Sequence, residues 1–380
     1  MGTTPSRIVR PGAMMPEPAP GASDGLLSGM RVLDLGQWRP APYATQLLAD
    51  LGADVLKVEP PAGDPMRRFP EIFASVASHK RSIVLDLKDP AGRARALGLA
   101  AEADVVVEGW RPGVAARLGV GADDVRAVNP GVVYCSLSGY GATGPLVDVP
   151  GHDVNYQAQS GALAPAGGAP QPAPAPRIPS ADLAGGLAAA FAICAAYIGR
   201  ARTGEGETID VSMTDVLASW TGTVGGGPIA GVPAPVDGLP AYGTFAVADG
   251  WVALGVITEP HFWDATCAAL GLDDLVGLPL VEQVTRGEEL RARIATALAP
   301  LARDDAVDCL LAEGAPVSPV QSRAEMLGDR HLRERGTVIT APDGGPWLAH
   351  PVRFARRPAR GPGPVPRPDE HAVDGFTPRD

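Results

Sequence analysis

Cysteine and positive charge are both scarce in this sequence, and each scarcity excludes a class of protein. The four cysteines are widely spaced and form no CxxC pair. A disulfide framework is therefore not indicated, and we expect reduced thiols in a cytoplasmic protein. The 32 basic residues are outnumbered by 43 acidic residues, which makes the net charge −11. A chain of that charge is not expected to bind nucleic acid as its main partner, although a local cationic pocket can still hold an anionic substrate.

A signal sequence and a convincing membrane span are also missing. Residues 1–28 contain no apolar core and are rich in Pro, Gly and Ala, which predicts a disordered leader. One uncharged run, residues 183–199, consists mostly of Ala and Gly, and Asp182 and Arg200 flank it. Transfer of such a segment into lipid would gain little, so the run predicts a buried core helix and no membrane span.

The first 140 residues do contain a regular alternation of apolar strands and helical runs. Strand-like segments lie at residues 31–36, 54–59, 82–87, 104–108 and 132–137, with helical runs at about 43–51 and 91–103. This alternation predicts a doubly wound α/β sheet. The turn after the first strand, residues 36–42, lacks the glycine pattern of dinucleotide sites, so a nicotinamide cofactor is not indicated.

The second half of the chain contains a long helix and a separate run of short elements. A helix is predicted at about 182–201, and a strand-like segment at 208–213 leads into another helix ending near 220. After a Gly/Pro-rich stretch, residues 243–255 predict a hairpin that turns at Asp249 and Gly250. Further helices are predicted at about 261–270, 287–301 and 305–314, whereas residues 316–320 are too rich in proline for a central strand.

Seven segments, taken in order, resemble the CaiB/BaiF family, also called the family III CoA-transferases. They are RVLDL (31–35), LADLGADVLKVE (48–59), KRSIVLDLK (80–88), VEGWRPG (107–113), SGYGATGP (138–145), RTGEG (202–206) and DVSM (210–213). The resemblance runs from about residue 30 to residue 335. It implies a split Rossmann-like large domain, a smaller α+β domain, and a homodimer whose two subunits interlock like linked rings.

With this resemblance the chain is predicted to divide into five parts. These are a disordered leader (1–28), a large Rossmann-like CoA-binding domain (29–221), a linker (222–241), a small domain (242–322) and a segment that returns to the large domain and ends in a tail (323–380). The active site is then expected between the large and the small domain, as ligand sites often are.

Within the family, three segments are similar to the α-methylacyl-CoA racemase branch. GHDVNY (151–156) has a histidine where the transferases more often have an aromatic residue. ADLAGG (181–186) and TEPHFW (258–263) resemble the racemase segments that contain the catalytic aspartate and glutamate. The resemblance therefore implies a catalytic set of Asp182, His152 and Glu259.

Asp182 begins a long apolar helix, and this position suggests a reactive carboxylate. The unpaired N–H groups and the positive dipole end of the helix should keep the carboxylate ionised. A plain helix cap is the alternative, although Ser180 could fill that role instead. An ionised carboxylate can attack a thioester to form an acyl-aspartyl anhydride, as CoA transfer requires, or remove the proton beside the thioester, as racemisation requires.

His152 and Glu259 could also have purely structural roles. A lone histidine is usually structural or exposed, but inversion of a carbon needs a base on one face and an acid on the other, which an Asp182/His152 pair supplies. Glu259 could be an ordinary first-turn carboxylate favoured by the helix dipole. The resemblance implies instead that Glu259 reaches in from the small domain and hydrogen-bonds His152, which fixes the tautomer of the imidazole and raises its basicity.

The resemblance assigns five residues to the coenzyme A moiety: Gln37, Arg39, Lys88, Trp110 and Arg117. Trp110 stands where the family has an aromatic residue near the adenine, and stacking suits that role. Lys88 and Arg117 match cationic positions that suit phosphate groups, with solvated surface charge as the alternative.

Two departures from the family pattern affect the expected substrate site. Pro60 and Pro61 replace an arginine that commonly follows the second strand, and Arg67 or Arg68 could substitute for it. Residues 239–243 replace a glycine-rich stretch before the hairpin, so the acyl pocket is expected to differ from that of the racemases.

The hypothesis from the sequence is an enzyme that exchanges the α-proton of a 2-methyl-branched acyl-CoA and thereby epimerises it. Two alternatives stay open: a CoA-transferase that works through an anhydride on Asp182, and a non-catalytic CoA-binding protein. The presence of Asp182, His152 and Glu259 together argues against the non-catalytic alternative. We expect an acyl-CoA substrate and a homodimer, and we expect neither a metal nor a cofactor apart from coenzyme A within the substrate.

Overall fold

The computed structural model describes residues 25–164, 177–223, 239–373 and 375–377. The helices are α1 (Pro40–Asp50), α2 (Pro70–Ala77), α3 (Pro90–Glu102), α4 (Val114–Arg117), α5 (Ala122–Val128), α6 (Asp153–Gln159), α7 (Ser180–Thr203), α8 (Met213–Thr221), α9 (Pro260–Ala269), α10 (Leu280–Thr285), α11 (Gly287–Leu298), α12 (Arg303–Ala312), α13 (Arg323–Gly328) and α14 (Arg330–Glu334). The strands are β1 (Arg31–Asp34), β2 (Asp54–Glu59), β3 (Arg81–Val84), β4 (Val105–Glu108), β5 (Val133–Ser138), β6 (Glu207–Ser212), β7 (Tyr242–Val247), β8 (Gly250–Gly255), β9 (Val317–Pro319), β10 (Val338–Thr340) and β11 (Pro346–Leu348). Most of the expected leader and linker lies outside the described residues.

The chain folds as two compact units, each assembled from segments that are distant in sequence. Of the described residues, the first unit contains those within 25–156, 179–216 and 336–377, and the second contains those within 157–178 and 217–335. A six-stranded parallel sheet with the order β3-β2-β1-β4-β5-β6 forms the centre of the first unit. The prediction of a parallel α/β sheet is therefore confirmed, with β6 as an additional edge strand.

Both faces of this sheet are covered, as a parallel sheet requires. On one face, Leu33, Leu56 and Val106 pack into one apolar core with Leu99 of α3. On the other face, α7 packs against α1, β5 and β6. Because strand order reverses between β1 and β4, the carboxyl ends of these strands leave a crevice in which α/β proteins commonly bind ligands.

Helix α7 is buried on one side only, which corrects the prediction of a buried core helix. Its small residues face the protein, and a Cβ at Gly186 would lie 2.7 Å from the carbonyl oxygen of Pro40 at the start of α1. Leu187, Phe191 and Ile198 are instead 50%, 76% and 60% exposed. Within the described part of the chain, α7 is the one helix that is long and apolar enough to cross a membrane.

The second unit is a small antiparallel sheet covered by helices. Strands β7 and β8 form the predicted hairpin, and β9 pairs with β8 at the edge of the sheet. The edge position suits the proline that ends β9, because proline has no N–H group for a central ladder. Phe245, Trp263 and Leu290 belong to a separate apolar core in this unit.

The proline- and arginine-rich C-terminal segment lies along the first unit. The N–H of His371 donates to the carbonyl of Ser82 in β3 at 3.0 Å, and the Val84 N–H donates to the Asp369 carboxylate at 2.8 Å. These bonds occupy part of the free edge of β3, an arrangement that limits edge-to-edge association of sheets.

Candidate active site

A cavity of about 680 Å³ opens at the carboxyl ends of β1, β4 and β5. Residues 37–41 and 109–112, which follow β1 and β4, and residues 137–140, which end β5 and begin the loop after it, form much of its wall. The first turn of α7 contributes Asp182, and the segment before α6 contributes His152. Two of the three predicted catalytic side chains therefore line one cavity, and that cavity lies within the first unit.

The carboxylate of Asp153 caps the helix that carries Asp182. Its Oδ1 accepts hydrogen bonds from the N–H groups of Ala181 at 2.7 Å and Asp182 at 3.1 Å. Asp153 thus satisfies two of the N–H groups that a helix leaves free at its start. The sequence suggested Ser180 for this role and did not indicate Asp153, because a capping residue normally lies next to its helix and Asp153 lies 28 residues before Ala181.

Asp182 is a weaker acid than its position at a helix start predicts. Burial and the negative charge of Asp153 raise the pKa of Asp182 to about 6, and Arg39 and His152 oppose the shift only in part. The helix dipole was expected to keep Asp182 ionised, but Asp153 occupies the helix end and repels a second negative charge. At pH 7 the carboxylate still exceeds the acid by roughly ten to one, and a base of this strength suits proton transfer near neutral pH.

His152 is exposed and lies on a main chain that is held on both sides. Its N–H donates to the Oδ1 of Asn155 at 3.0 Å, and its carbonyl accepts the N–H of Asn155 at 2.8 Å. His152 lies close enough to Asp182 for the two side chains to interact electrostatically. The structure therefore brings together, in one cavity, the two acid–base groups that the sequence placed 30 residues apart.

Tyr156 fixes the segment before His152, a role that was not predicted from the sequence. Its hydroxyl donates to the carbonyl of Gly151 at 2.6 Å. Its ring packs on Gly139, where a Cβ would clash with the ring carbons. Tyr140 packs edge-on against the same ring, with 5.0 Å between ring centroids. Glycine at position 139 is thus required for the close approach of β5 and the ring.

A buried ion network holds the loop after β1 in place beside the cavity. Asp34 accepts the N–H of Gly36 at 2.9 Å and the ammonium of Lys80 at 2.9 Å. Lys57 donates to the Gly36 carbonyl at 2.7 Å. Burial opposes ionisation of Asp34, but the ammonium groups of Lys80 and Lys57 hold its pKa below the usual value. Both peptide groups of Gly36 are thereby fixed directly before the loop that lines the cavity.

The loop itself carries two predicted residues and one strained residue. Gln37 and Arg39 line the cavity, and Arg39 interacts electrostatically with Asp182. Trp38 between them has a φ of +64° and is 53% exposed at the cavity rim. Left-handed backbone is costly for a large side chain, and such strain concentrates at functional sites.

The other residues assigned to coenzyme A lie around a second, smaller cavity. This cavity of about 150 Å³ shares Gln37 and Trp110 with the first one, and Lys88 lines it as well. Arg117 is exposed on α4 and lines neither cavity, although the next residue, Leu118, lines the second. Arg111 lines the first cavity and was not selected from the sequence.

Arg67 does not substitute for the missing arginine at Pro60 and Pro61. Its guanidinium binds the Glu59 carboxylate, with Nε 2.7 Å from Oε2, and it also donates to the Pro366 carbonyl at 3.0 Å. A guanidinium committed to a buried carboxylate is not free to bind phosphate. Arg68 is exposed, so of the two proposed substitutes only Arg68 is accessible.

Glu259 lies in the second unit, directly before α9. Its Oε2 accepts the N–H of Thr258 at 3.0 Å. Hydrogen bonds from the local main chain lower its pKa below the usual value. The expected contact of Glu259 with His152 stays a prediction.

The role of Asp153 can be tested without an enzyme assay. Asp153→Asn keeps an oxygen that can cap α7 but removes the charge, so we expect the pKa of Asp182 to fall from about 6 towards its ordinary value. The titration can be followed by ¹³C NMR of labelled aspartate, with Asp182→Asn to assign the signal. Asp153→Ala removes the cap as well and should cost about 1 kcal/mol of stability. An unchanged titration in Asp153→Asn would show that Asp153 does not set the basicity of Asp182.

Comparison with known proteins agrees with this architecture. The model of CoA-transferase family III matches residues 27–372. A succinate–glutarate CoA-transferase from Agrobacterium fabrum is 32% identical over 91% of this chain and 93% of its own length. An α-methylacyl-CoA racemase from Homo sapiens is 33% identical over 83% of each chain. The crystal structure of a CaiB/BaiF family protein from Brucella suis superposes with a TM-score of 0.80 at 29% identity, over 92% of this chain and 98% of that chain. The chain therefore belongs to CoA-transferase family III, the CaiB/BaiF family, whose members include both CoA-transferases and racemases.

Proposed function

We propose that the protein exchanges the α-proton of a 2-methyl-branched acyl-CoA thioester and so interconverts its two epimers. The observation that carries this proposal is the presence of two acid–base side chains, Asp182 and His152, in the wall of one cavity. A racemase that acts through an enolate needs a base on one face of the carbon and an acid on the other. Asp182, with a pKa of about 6, is ionised at neutral pH and still basic enough to accept a carbon-bound proton.

The proposed reaction runs through an enolate. Asp182 removes the α-proton from one face, and the electrons of the C–H bond move into the thioester and onto its oxygen. His152, in its protonated form, then returns a proton to the opposite face. The other epimer reacts by the same steps in reverse, with His152 as base and Asp182 as acid. Glu259 is the proposed orienting partner of His152, which it would hold in one tautomer.

Coenzyme A would lie across the two cavities that share Gln37 and Trp110. Trp110 offers a ring for stacking with the adenine. Lys88 in the second cavity is the best-placed cation for phosphate, and Arg117 and Arg68 are further exposed cations. In this proposal coenzyme A enters as part of the substrate, and no other cofactor takes part.

CoA transfer between carboxylic acids is the second candidate, and the relatives named as transferases favour it. In that reaction Asp182 would attack the thioester carbonyl and expel CoA as its thiolate, which leaves a mixed anhydride on Asp182. His152 would then have no chemical role. The raised pKa of Asp182 is compatible with both reactions, because the nucleophile and the base are the same ionised group.

The test separates the two reactions with the wild-type enzyme. In deuterated water, each pure epimer of a 2-methylacyl-CoA should take up deuterium at the α-carbon and lose optical purity. A parallel sample with an added free carboxylic acid shows whether CoA moves to that acid. CoA transfer without deuterium uptake would refute the racemase proposal in favour of the transferase, and neither activity would refute both.

We further propose a cytoplasmic homodimer in which a second copy covers the exposed face of α7. That face displays Leu187, Phe191 and Ile198, and a contiguous exposed apolar patch usually marks an interaction site. Linked rings cannot separate without unfolding, so analytical ultracentrifugation should show a dimer at every dilution. A monomer that accumulates on dilution would refute the linked-ring arrangement.

A further inference from the structure

We infer that the hydroxyl of Ser138 is a hydrogen-bond donor for the thioester oxygen of the substrate. Ser138 is the last residue of β5 and lines the cavity that holds Asp182 and His152. It is only 8% exposed, and its Oγ has no hydrogen-bond partner among the described residues. A buried hydroxyl without a partner costs free energy, so its presence in this wall points to a partner that arrives with the substrate.

The orientation of α7 relative to β5 brings Ser138 near Asp182. The Arg200 guanidinium at the far end of α7 lies next to Gly131, which precedes β5. The helix therefore runs antiparallel to β5, and its first turn lies at the carboxyl end of the strand, where Ser138 is located.

Strand β6 locates Ser138 relative to Asp182 more closely. Ser138 pairs in register with Ser212 of β6. The next residue, Met213, packs against Gly185 of α7. Gly185 follows Asp182 by three residues, a rise of about 4.5 Å along a helix. Measured along the axis of α7, Ser138 and Asp182 therefore lie within about one helical turn of each other.

The main chain after Ser138 is fixed, so its hydroxyl has a rigid base. The carbonyl of Gly139 accepts both the N–H of Thr214 at 3.0 Å and its hydroxyl at 2.8 Å. A serine side chain changes between staggered χ1 positions at little cost, and such a rotation can turn the Ser138 hydroxyl into the cavity. After that rotation, the held main chain limits further reorganisation, and the hydroxyl can stabilise charge that develops on a substrate oxygen.

This role rests on the proposed acyl-CoA function and serves either of its reactions. When the α-proton leaves to Asp182, the electrons collect on the thioester oxygen as an enolate. When Asp182 attacks the carbonyl carbon, the π electrons move onto the same oxygen before CoA thiolate departs. In both cases Ser138 donates a hydrogen bond to the oxygen and keeps its own proton.

The test compares binding of an acyl-CoA with that of its thioether analogue, which lacks the carbonyl oxygen. We expect the wild type to bind the thioester several-fold more tightly than the thioether, and Ser138→Ala to bind both equally. Steady-state rates should show a loss of roughly 10²–10³-fold in kcat for Ser138→Ala. KM should rise only by the several-fold factor that the binding comparison gives, because the hydrogen bond is stronger to the developing oxyanion than to the ground-state thioester. Ser138→Cys, whose thiol is a weaker donor of similar size, should have a kcat between those of the wild type and Ser138→Ala.

Ser212→Ala is the matched control, because Ser212 is the register partner of Ser138 and its Oγ accepts the N–H of Asp215 within the protein. This variant should keep the preference for the thioester. If Ser138→Ala keeps the wild-type preference, the inference is wrong. The binding comparison decides the role of Ser138 even if the wild type shows neither exchange nor transfer, an outcome that would refute the proposed function alone.

Discussion

Replacement of Asp182 by asparagine is expected to abolish both α-proton exchange and CoA transfer. Asparagine is neither a base nor a nucleophile at neutral pH, whereas both reactions require the ionised carboxylate. The loss should approach roughly 10⁴-fold, the upper end of what an acid–base group contributes, measured as deuterium uptake and as CoA exchange under saturating acyl-CoA. In the wild type, kcat/KM should fall as pH decreases below about 6, because protonation of Asp182 removes the base.

The same variant should fold at least as well as the wild type. Because burial and Asp153 raise the pKa of Asp182 to about 6, the folded state holds this proton more tightly than the unfolded chain does. Asp182 therefore lowers stability as pH rises from about 4 to 6, and this loss persists at neutral pH. Asp182→Asn removes this destabilising charge and should raise the free energy of unfolding at pH 7 by roughly 1 kcal/mol, measured by urea denaturation. A stable variant that keeps substantial activity would show that Asp182 is only a structural residue.

Replacement of His152 by alanine is expected to reduce epimerisation at least about a hundredfold. The predicted pattern is asymmetric between the two epimers. The epimer whose α-proton faces Asp182 should still exchange that proton for deuterium without inversion. The other epimer presents its proton to the missing imidazole and should take up almost no deuterium. Optical purity and deuterium content, both followed over time, measure the two processes separately.

His152→Gln is the matched variant, because it retains a polar side chain that cannot take up a proton at neutral pH. The main chain at this position is held by Asn155 and does not depend on the imidazole, so both variants should fold. We expect the same loss in His152→Gln as in His152→Ala. Full epimerisation in either variant would refute the two-base proposal. Undiminished CoA transfer in both variants, with no epimerisation by the wild type, would favour the transferase.

The strands and most helices could be predicted from the sequence because their signals are local. Apolar runs ended by glycine or charge predicted β2 at residues 54–59, where the structure has it, and an Asp-Gly turn predicted the hairpin of β7 and β8. Helix α7 was also predicted nearly over its observed length. The one-sided burial of α7 was not predicted, because the sequence shows that a helix is apolar but not which of its faces packs against the protein.

The chemistry of the site depended on tertiary contacts that no local pattern contains. The sequence singled out Asp182 and His152 and predicted an ionised carboxylate at a helix start. Only the fold buries Asp182 and brings Asp153 onto that helix start, and burial together with the Asp153 charge raises the pKa of Asp182 to about 6. Likewise, Arg67 looked available for phosphate in the sequence, but in the fold it binds Glu59.

Residue type and order along the chain thus determined the family, the sheet and the candidate reactive groups. The three-dimensional packing decided the acid strength of Asp182 and the carboxylate partner of Arg67, and it left the Ser138 hydroxyl without a hydrogen-bond partner among the described residues. The physical reason is that a pKa or a hydrogen bond depends on distance and burial, and the decisive neighbours here lie tens of residues away along the chain.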